Sequence, residues 1–279
     1  MLTKLDSYNS TVSTLNSKIN ALQDRINDLE GVTGASGVYL VSVGKCGTNI
    51  DYALFSNGNV KLSGSGATNN YDTNNHSPFY NKAKSVSIPY GITQFGNYLF
   101  ADCDDLETVT LPDSVTSIGD YCFSITESFS STTRGLKEVT LPNSLRSIGK
   151  SAFEHTRLTS ITIPSNVTTI SAYAFLNCAK MKTARIDSPV MGSYMFSSCS
   201  ALQNLTISKN CKTFGSYMLT YCSSLSTITY EGTIADWNKI TKTNNWITGG
   251  DNTYLKKIQC TNGYLSYNTS TKTWKEVKE

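Results

Sequence analysis

The chain has 279 residues, 24 Lys and Arg against 21 Asp and Glu, a net charge of +3, only 16% charged residues, two histidines and eight cysteines. Phosphate backbones are bound by clustered cations, and the scattered Lys and Arg here exclude a nucleic-acid partner from the expectations. Eight cysteines in a chain of this length are too few for a disulfide-dense scaffold, and no C-x-x-C pair points to zinc. Nowhere do 18 apolar residues run together, so no membrane insertion is expected, and the start M-L-T-K-L-D-S-Y-N-S lacks the apolar core of an export signal.

The first segment, residues 1–30, carries a seam of apolar residues in steps of three and four: Leu5, Tyr8, Val12, Leu15, Ile19, Leu22, Ile26 and Leu29. Strict a and d spacing predicts a parallel coiled coil, because a helix folding back onto a globular body presents a wider apolar stripe. Leu5, Val12, Ile19 and Ile26 fall at a; Tyr8, Leu15, Leu22 and Leu29 fall at d. Largely β-branched a positions with Leu at d lean towards two strands, whereas R-I-N-D-L-E at Arg25 to Glu30 resembles the pattern of short trimeric coils. There Arg25 at g reaches Glu30 at e of a neighbour, and Tyr8 is bulky for a two-stranded core. The expectation is a homotrimer, with a dimer as the alternative, on a stalk of roughly 40 Å at about 1.5 Å per residue. Residues 31–37, G-V-T-G-A-S-G, read as a flexible joint.

Residues 38–87 read as a β-rich N-terminal cap of three short strands, Val38 to Val43, Cys46 to Phe55 and Val60 to Ala67, with Asn57-Gly58 as a hairpin signal. The polar loop Asn69 to Pro78 contains His76, which reads as a solvated residue rather than a metal ligand.

Residues 88–230 repeat one unit: a hydrophobic strand usually ended by Pro, then Ile-Gly or a variant, an aromatic, and a turn often closed by Cys. Anchored on the last strand residue, the copies fall at Ile88, Leu111, Leu141, Ile163, Ile186, Ile207 and Tyr230, mostly 21 to 23 residues apart. Such a period means a solenoid, in which each unit buries its apolar side on its neighbours. Phe100, Phe123, Phe153, Phe175 and Phe196, with Leu219 last, are expected as an internal column, and Cys103, Cys178, Cys199 and Cys222 as a buried thiol column. Two series face outward. Tyr98, Tyr121, Tyr173, Tyr194 and Tyr217 sit two residues before the core Phe or Leu, with Ser151 in the sixth place, and are either a receptor-binding row or a ladder packed between coils. Thr110, Thr140, Thr162, Arg185, Thr206 and Thr229 form the exposed strand face. One unit carries a Ser/Thr-rich insertion, Ser124 to Gly135, with Phe129 as a candidate contact.

Residues 231–279 leave the repeat and read as a C-terminal cap: a helix around Trp237 and a closing hairpin from Y-L-S-Y to W-K-E-V, with Trp246 in a polar loop as a candidate exposed contact. No nucleophile elbow, phosphate loop or dinucleotide fingerprint is present, so no catalytic residue, cofactor or metal is expected.

C-G-T-N-x-x-x-x-L-x-S-N-G at Cys46 to Gly58, the I-G-x-Y-x-F repeats, and E-G-T-I-A-D-W-N-K-I at Glu231 to Ile240 leading to I-Q-C-T-N-G resemble the BspA-like leucine-rich repeat proteins. The resemblance implies a right-handed α/β solenoid used for adhesion and for binding protein or glycan, without catalytic residues or cofactor. The front end departs from the family. A short trimer stalk beginning at Met1 looks like a bacteriophage tail fibre or receptor-binding protein, with other virion or tail proteins at its N-terminus and a host cell-surface receptor at its head. The alternative is a bacterial cell-surface or secreted adhesin.

Overall fold

The computed structural model describes Thr14, Lys18 and residues 37–126, 134–243, 245–247, 254–268, 270–271 and 273–278. The chain divides into two compact units, Met1–Tyr39 and Leu40–Glu279. In the first, Thr14 and Lys18 are helical and exposed. The heptad positions Leu5, Tyr8, Val12, Leu15, Ile19, Leu22, Ile26 and Leu29, the pair Arg25 and Glu30, and Phe129 of the insertion lie outside the described residues.

The second unit opens with an antiparallel meander, β1 (Leu40–Gly47), β2 (Ile50–Phe55) and β3 (Asn59–Gly64). The first turn falls at Thr48-Asn49 rather than at Gly44-Lys45, because Cys46 is drawn into the core at the end of β1. After the two-residue β4 (Gly66–Ala67), each coil contributes two parallel strands. These are β5 (Ser85–Ser87) and β6 (Ile92–Phe95), β7 (Thr108–Thr110) and β8 (Ser117–Ile118), β9 (Glu138–Thr140) and β10 (Ser147–Ile148), β11 (Ser160–Ile163) and β12 (Thr169–Ile170), β13 (Thr183–Ile186) and β14 (Val190–Met191), and β15 (Asn204–Ile207) and β16 (Thr213–Phe214). The last coil runs through β17 (Thr227–Tyr230), α1 (Ile234–Lys239) and β18 (Thr241–Lys242); β19 (Lys257–Cys260), β20 (Gly263–Asn268) and β21 (Thr273–Lys278) then close the array with two antiparallel pairings.

The longer strands pair in register along the array, Thr162 beside Arg185, Arg185 beside Thr206, and Thr206 beside Thr229. Their burial alternates, with Ala184 and Ile186 inside and Thr183 outside. The short strands form a second ladder, in which Ile118 neighbours Phe95 and Ile148. Between strands lies a turn built around Pro: the Val115 N–H donates to the Pro112 carbonyl and that of Leu145 to Pro142, both at 3.0 Å. The Ile-Gly motif follows from crowding. A Cβ on Gly149 would stand 2.5 Å from the carbonyl carbon of Gly119 in the preceding coil, so only glycine lets the coils approach.

The second half of each coil corrects the expectation of an α/β solenoid: it is a turn, not a helix, and α1 is the only helix among the described residues of this unit. An α-helix needs each N–H for the carbonyl four residues back. Here every second N–H goes to the next coil instead, Phe123 to Ala152, Phe153 to Ala174 and Phe175 to Met195, at 2.9 to 3.0 Å. Left-handed residues at intervals of four, such as Tyr173 (φ 66°) and Asn177 (φ 53°), turn alternate peptides so that this third ladder is possible.

Inside, the phenylalanine column is continuous. Phe79, which no repeat pattern signals, stacks on Phe100 at 5.3 Å, and the stack runs through Phe123, Phe153 and Phe175 to Phe196 with centroids 5.0 to 5.6 Å apart. Each such pair adds about 0.5–1.5 kcal/mol beyond area burial. The thiols close the column. Cys103, Cys178, Cys199 and Cys222 donate to the carbonyls of Phe79, Phe153, Phe175 and Phe196 at 3.1 to 3.3 Å, and all eight cysteines are free and buried. Where the closing Cys is missing, Thr156 donates to the Phe153 carbonyl and Thr126 to Asp102.

Candidate functional site

The left-handed turn places the tyrosines. Tyr98, Tyr121, Tyr173, Tyr194 and Tyr217 all carry φ between 54° and 66°, a conformation that is costly for a bulky side chain. Their N–H groups donate to the next coil, which holds the backbone there: Tyr98 to Asp120, Tyr121 to Lys150 and Tyr194 to Ser216. The rings make two separate stacks, Tyr98 on Tyr121 at 4.7 Å, and Tyr173, Tyr194 and Tyr217 at 4.8 and 5.0 Å. Ser151, at the sixth place, is buried, and the neighbouring Lys150 sets its ammonium over the Tyr121 ring at 5.7 Å. At the far end the Tyr217 hydroxyl accepts from the Asn245 amide at 2.8 Å. All five tyrosines are half-buried. Stacking covers ring faces within each run, so the row offers mainly ring edges and hydroxyls.

Trp246 is a correction. It is 8% exposed, packed on Phe214 at 5.4 Å and Trp237 at 5.9 Å. With no further repeat to accept it, the Met218 N–H donates to the Trp246 carbonyl at 3.1 Å, and this carries the indole inside as a plug.

The strand face holds the larger feature, a polar groove of about 670 Å³ that runs along the ends of the strands. Its floor includes Thr140, Thr162 and Arg185, and its walls are the turns after the strands, among them Asn143, Ser165 and Lys209. It lies where the strand ladder is interrupted between β9 and β11. Arg185 interrupts the threonine row and is engaged on three sides: Nη1 and Nη2 donate to the two Glu231 oxygens at 2.8 and 2.9 Å, and Nη2 lies 2.8 Å from Asp187 Oδ1. Hydrogen bonding to Arg185 holds the Glu231 carboxyl below its ordinary range and raises the Arg185 pKa further.

Along the other edge the carboxylates that crowd one turn disperse to different partners. Asp102 is buried and accepts from the Thr126 N–H and hydroxyl, Asp104 pairs with Arg134, and Asp105 with Lys84 at 2.9 Å. The two histidines are apart: His155 lies between Glu154 and Asn177, while His76 packs edge-on against Tyr80. Among the described residues no group of three or more His, Cys, Asp or Glu is placed to hold a metal, and no helix is long and apolar enough to cross a membrane.

Stacked coils with in-register parallel ladders, a one-residue-wide aromatic column and a polar strand face define a leucine-rich repeat solenoid. The chain belongs to the BspA type leucine-rich repeat family, whose pattern it carries in six copies over residues 41–130 and 125–245. Among solved structures it is similar to a leucine-rich repeat protein from Bacteroides ovatus (20% identity, TM-score 0.44, 80% of this chain and 70% of that one). A second, from Eubacterium ventriosum, shares 18% identity at TM-score 0.44 over 81% and 79% of the two chains. The T. pallidum leucine-rich repeat protein shares 21% at TM-score 0.47 over 62% and 86%. The curated proteins give no match.

Proposed function

We propose that the chain is the recognition head of a bacterial cell-surface or secreted adhesin, which binds a protein or glycan along the strand face without chemical turnover, cofactor or metal. The groove around Arg185 carries this reading. Thr140, Thr162 and Asn143 line it, and the parallel ladder beneath Thr162 and Arg185 holds their spacing. Groups so held bind without a large ordering cost. Membership in the family supports the reading. The low charge, +3 over 279 residues, favours polar recognition over phosphate or membrane-surface binding.

The test is binding of the full chain to glycan and surface-protein arrays and to bacterial and host cells, with Arg185→Ala and Thr162→Arg as groove variants. Binding lost in both variants while the melting temperature stays within a few degrees supports the groove; binding kept by both removes it as the site.

The heptads from Leu5 to Leu29 favour a second reading, a homotrimeric fibre-like receptor-binding protein of a bacteriophage virion, synthesised in the host cytoplasm. Three heads on one stalk raise the effective concentration of a weak contact. Light scattering of the full chain and of a chain starting at Val38 separates the two: a trimer that becomes a monomer on truncation supports the fibre, and a monomeric full chain removes it.

A further inference from the structure

The tyrosine column has an end, and the end opens into a cavity. Tyr98 is covered on one side by Tyr121 and lines a cavity of about 310 Å³ together with Asp72, His76, Tyr80, Asp102 and Thr126. That volume is at the small end of ligand pockets and suits one side-chain-sized group. Three rings and two carboxylates converge there, and no Lys or Arg is among the residues that line it.

The carboxylates have different duties. Asp102 is 2% exposed and takes the Thr126 N–H and hydroxyl, which locks the wall. Asp72 is exposed; its Oδ1 accepts the N–H groups of Asn74 and Asn75 at 2.7 and 2.8 Å, and Oδ2 takes no hydrogen bond from the described residues. Those two N–H bonds hold the Asp72 carboxyl below its ordinary range, so it is an anion at neutral pH. His76 Nε2 lies 2.7 Å from the Thr73 carbonyl, which can only accept, so Nε2 carries a proton. An anion is repelled by the Asp72 carboxylate, and no Lys or Arg lines the cavity to receive one. A cation beside the Asp72 carboxylate and among the Tyr80 and Tyr98 rings suits this lining.

We propose that this cavity binds an ammonium group, presented either by a lysine side chain of a protein partner or by a free small amine. The site is distinct from the Arg185 groove, and either can fail without the other.

The experiment is titration of the full chain, followed by two-dimensional NMR, with three probes: a short peptide bearing one internal lysine, ethanolamine, and the same peptide with norleucine in place of lysine. Saturable shifts at His76, Tyr80 and Tyr98 are expected with both amines and not with the norleucine peptide. Tighter binding of the lysine peptide than of ethanolamine assigns the source to protein; equal binding assigns it to a free amine. Asp72→Asn keeps the Oδ1 acceptor and hence the turn, and is expected to weaken binding roughly fivefold, the effect of losing one partly exposed ion pair. Tyr98→Leu, checked for folding by its melting temperature, is expected to abolish the shifts. Equal shifts with norleucine, equal shifts with glucose, unchanged affinity in Asp72→Asn, or no shifts at tens of millimolar amine each overturn the proposal.

Discussion

Arg185 reaches two coils along the solenoid and grips Glu231 with both terminal nitrogens, Nη1 to Oε1 at 2.8 Å and Nη2 to Oε2 at 2.9 Å. The pair spans the row at Thr206 and ties the turn before the C-terminal helix to the middle of the strand face. Both side chains are about two-fifths exposed, so the bond is discounted for solvent screening. Arg185→Lys keeps the charge and loses the fork. The expected cost is about 0.5–1 kcal/mol in urea unfolding, with slower amide exchange lost around Glu231; an unchanged midpoint and exchange pattern contradict it.

Tyr194 stacks on two rings from a backbone angle of φ 54°. Replacing it by Ala removes both stacks and is expected to cost about 1–3 kcal/mol. Tyr194→Gly removes the same contacts but relieves the left-handed conformation, which costs a side-chain-bearing residue roughly 1 kcal/mol. The glycine variant is therefore expected to melt above the alanine variant, the reverse of the usual order in a helix or strand. The opposite order in a calorimeter contradicts the turn geometry.

Gly149 has an ordinary negative φ, so its only constraint is the coil beneath it. A methyl group there meets the Gly119 carbonyl carbon at 2.5 Å and the Asp120 nitrogen at 2.6 Å. Gly149→Ala is expected to lose about 1–3 kcal/mol through overpacking of backbone on backbone. Melting within a degree of the parent sinks the idea that coil approach selects the Ile-Gly motif.

Burial raises the thiol pKa of Cys46, Cys103 and Cys222 from 9.0 to about 12, and of Cys211 and Cys260 to about 11. The folded state holds these protons more tightly than the unfolded chain. Stability from them is complete below pH 9 and falls as pH rises from 9 towards 11 or 12, by at most about 1.4 kcal/mol per group per pH unit. Lys242 acts oppositely. Desolvation lowers its pKa to about 8, so the folded state gains as pH rises from 8 to 10.5. One amine against five thiols leaves a net loss, read as a melting temperature that declines above pH 9. Native thiols should also stay unreactive to a thiol reagent until unfolding; reaction of the folded protein at pH 8 contradicts the buried column.

Much of the head was legible because a repeat reports burial residue by residue. Phe100, Phe123, Phe153, Phe175 and Phe196 recur at the period of the fold, and so do the four closing cysteines; a position that repeats while its neighbours vary must meet its own image in the next coil. The family pattern was legible for the same reason. The α/β solenoid implied by the resemblance was not borne out in the turns, since local pattern cannot say whether the N–H of Phe153 goes back along the chain or across to Ala174. Trp246 read as exposed from its polar loop and is buried, because what fills the last coil depends on there being no repeat after it.

The amino-acid order by itself determined the period, the inward columns and the heptad seam from Leu5 to Leu29, all of which are consequences of side-chain size and polarity at fixed spacing. Only the tertiary structure decided that Arg185 meets Glu231 across 46 residues, that the tyrosines stack in two runs around Ser151, and that Asp72, His76, Tyr80 and Tyr98 share a cavity. The physical reason is that electrostatic and aromatic partners are chosen by distance in space. The sequence carries their chemistry, but only the stacked backbone sets which of them come within reach.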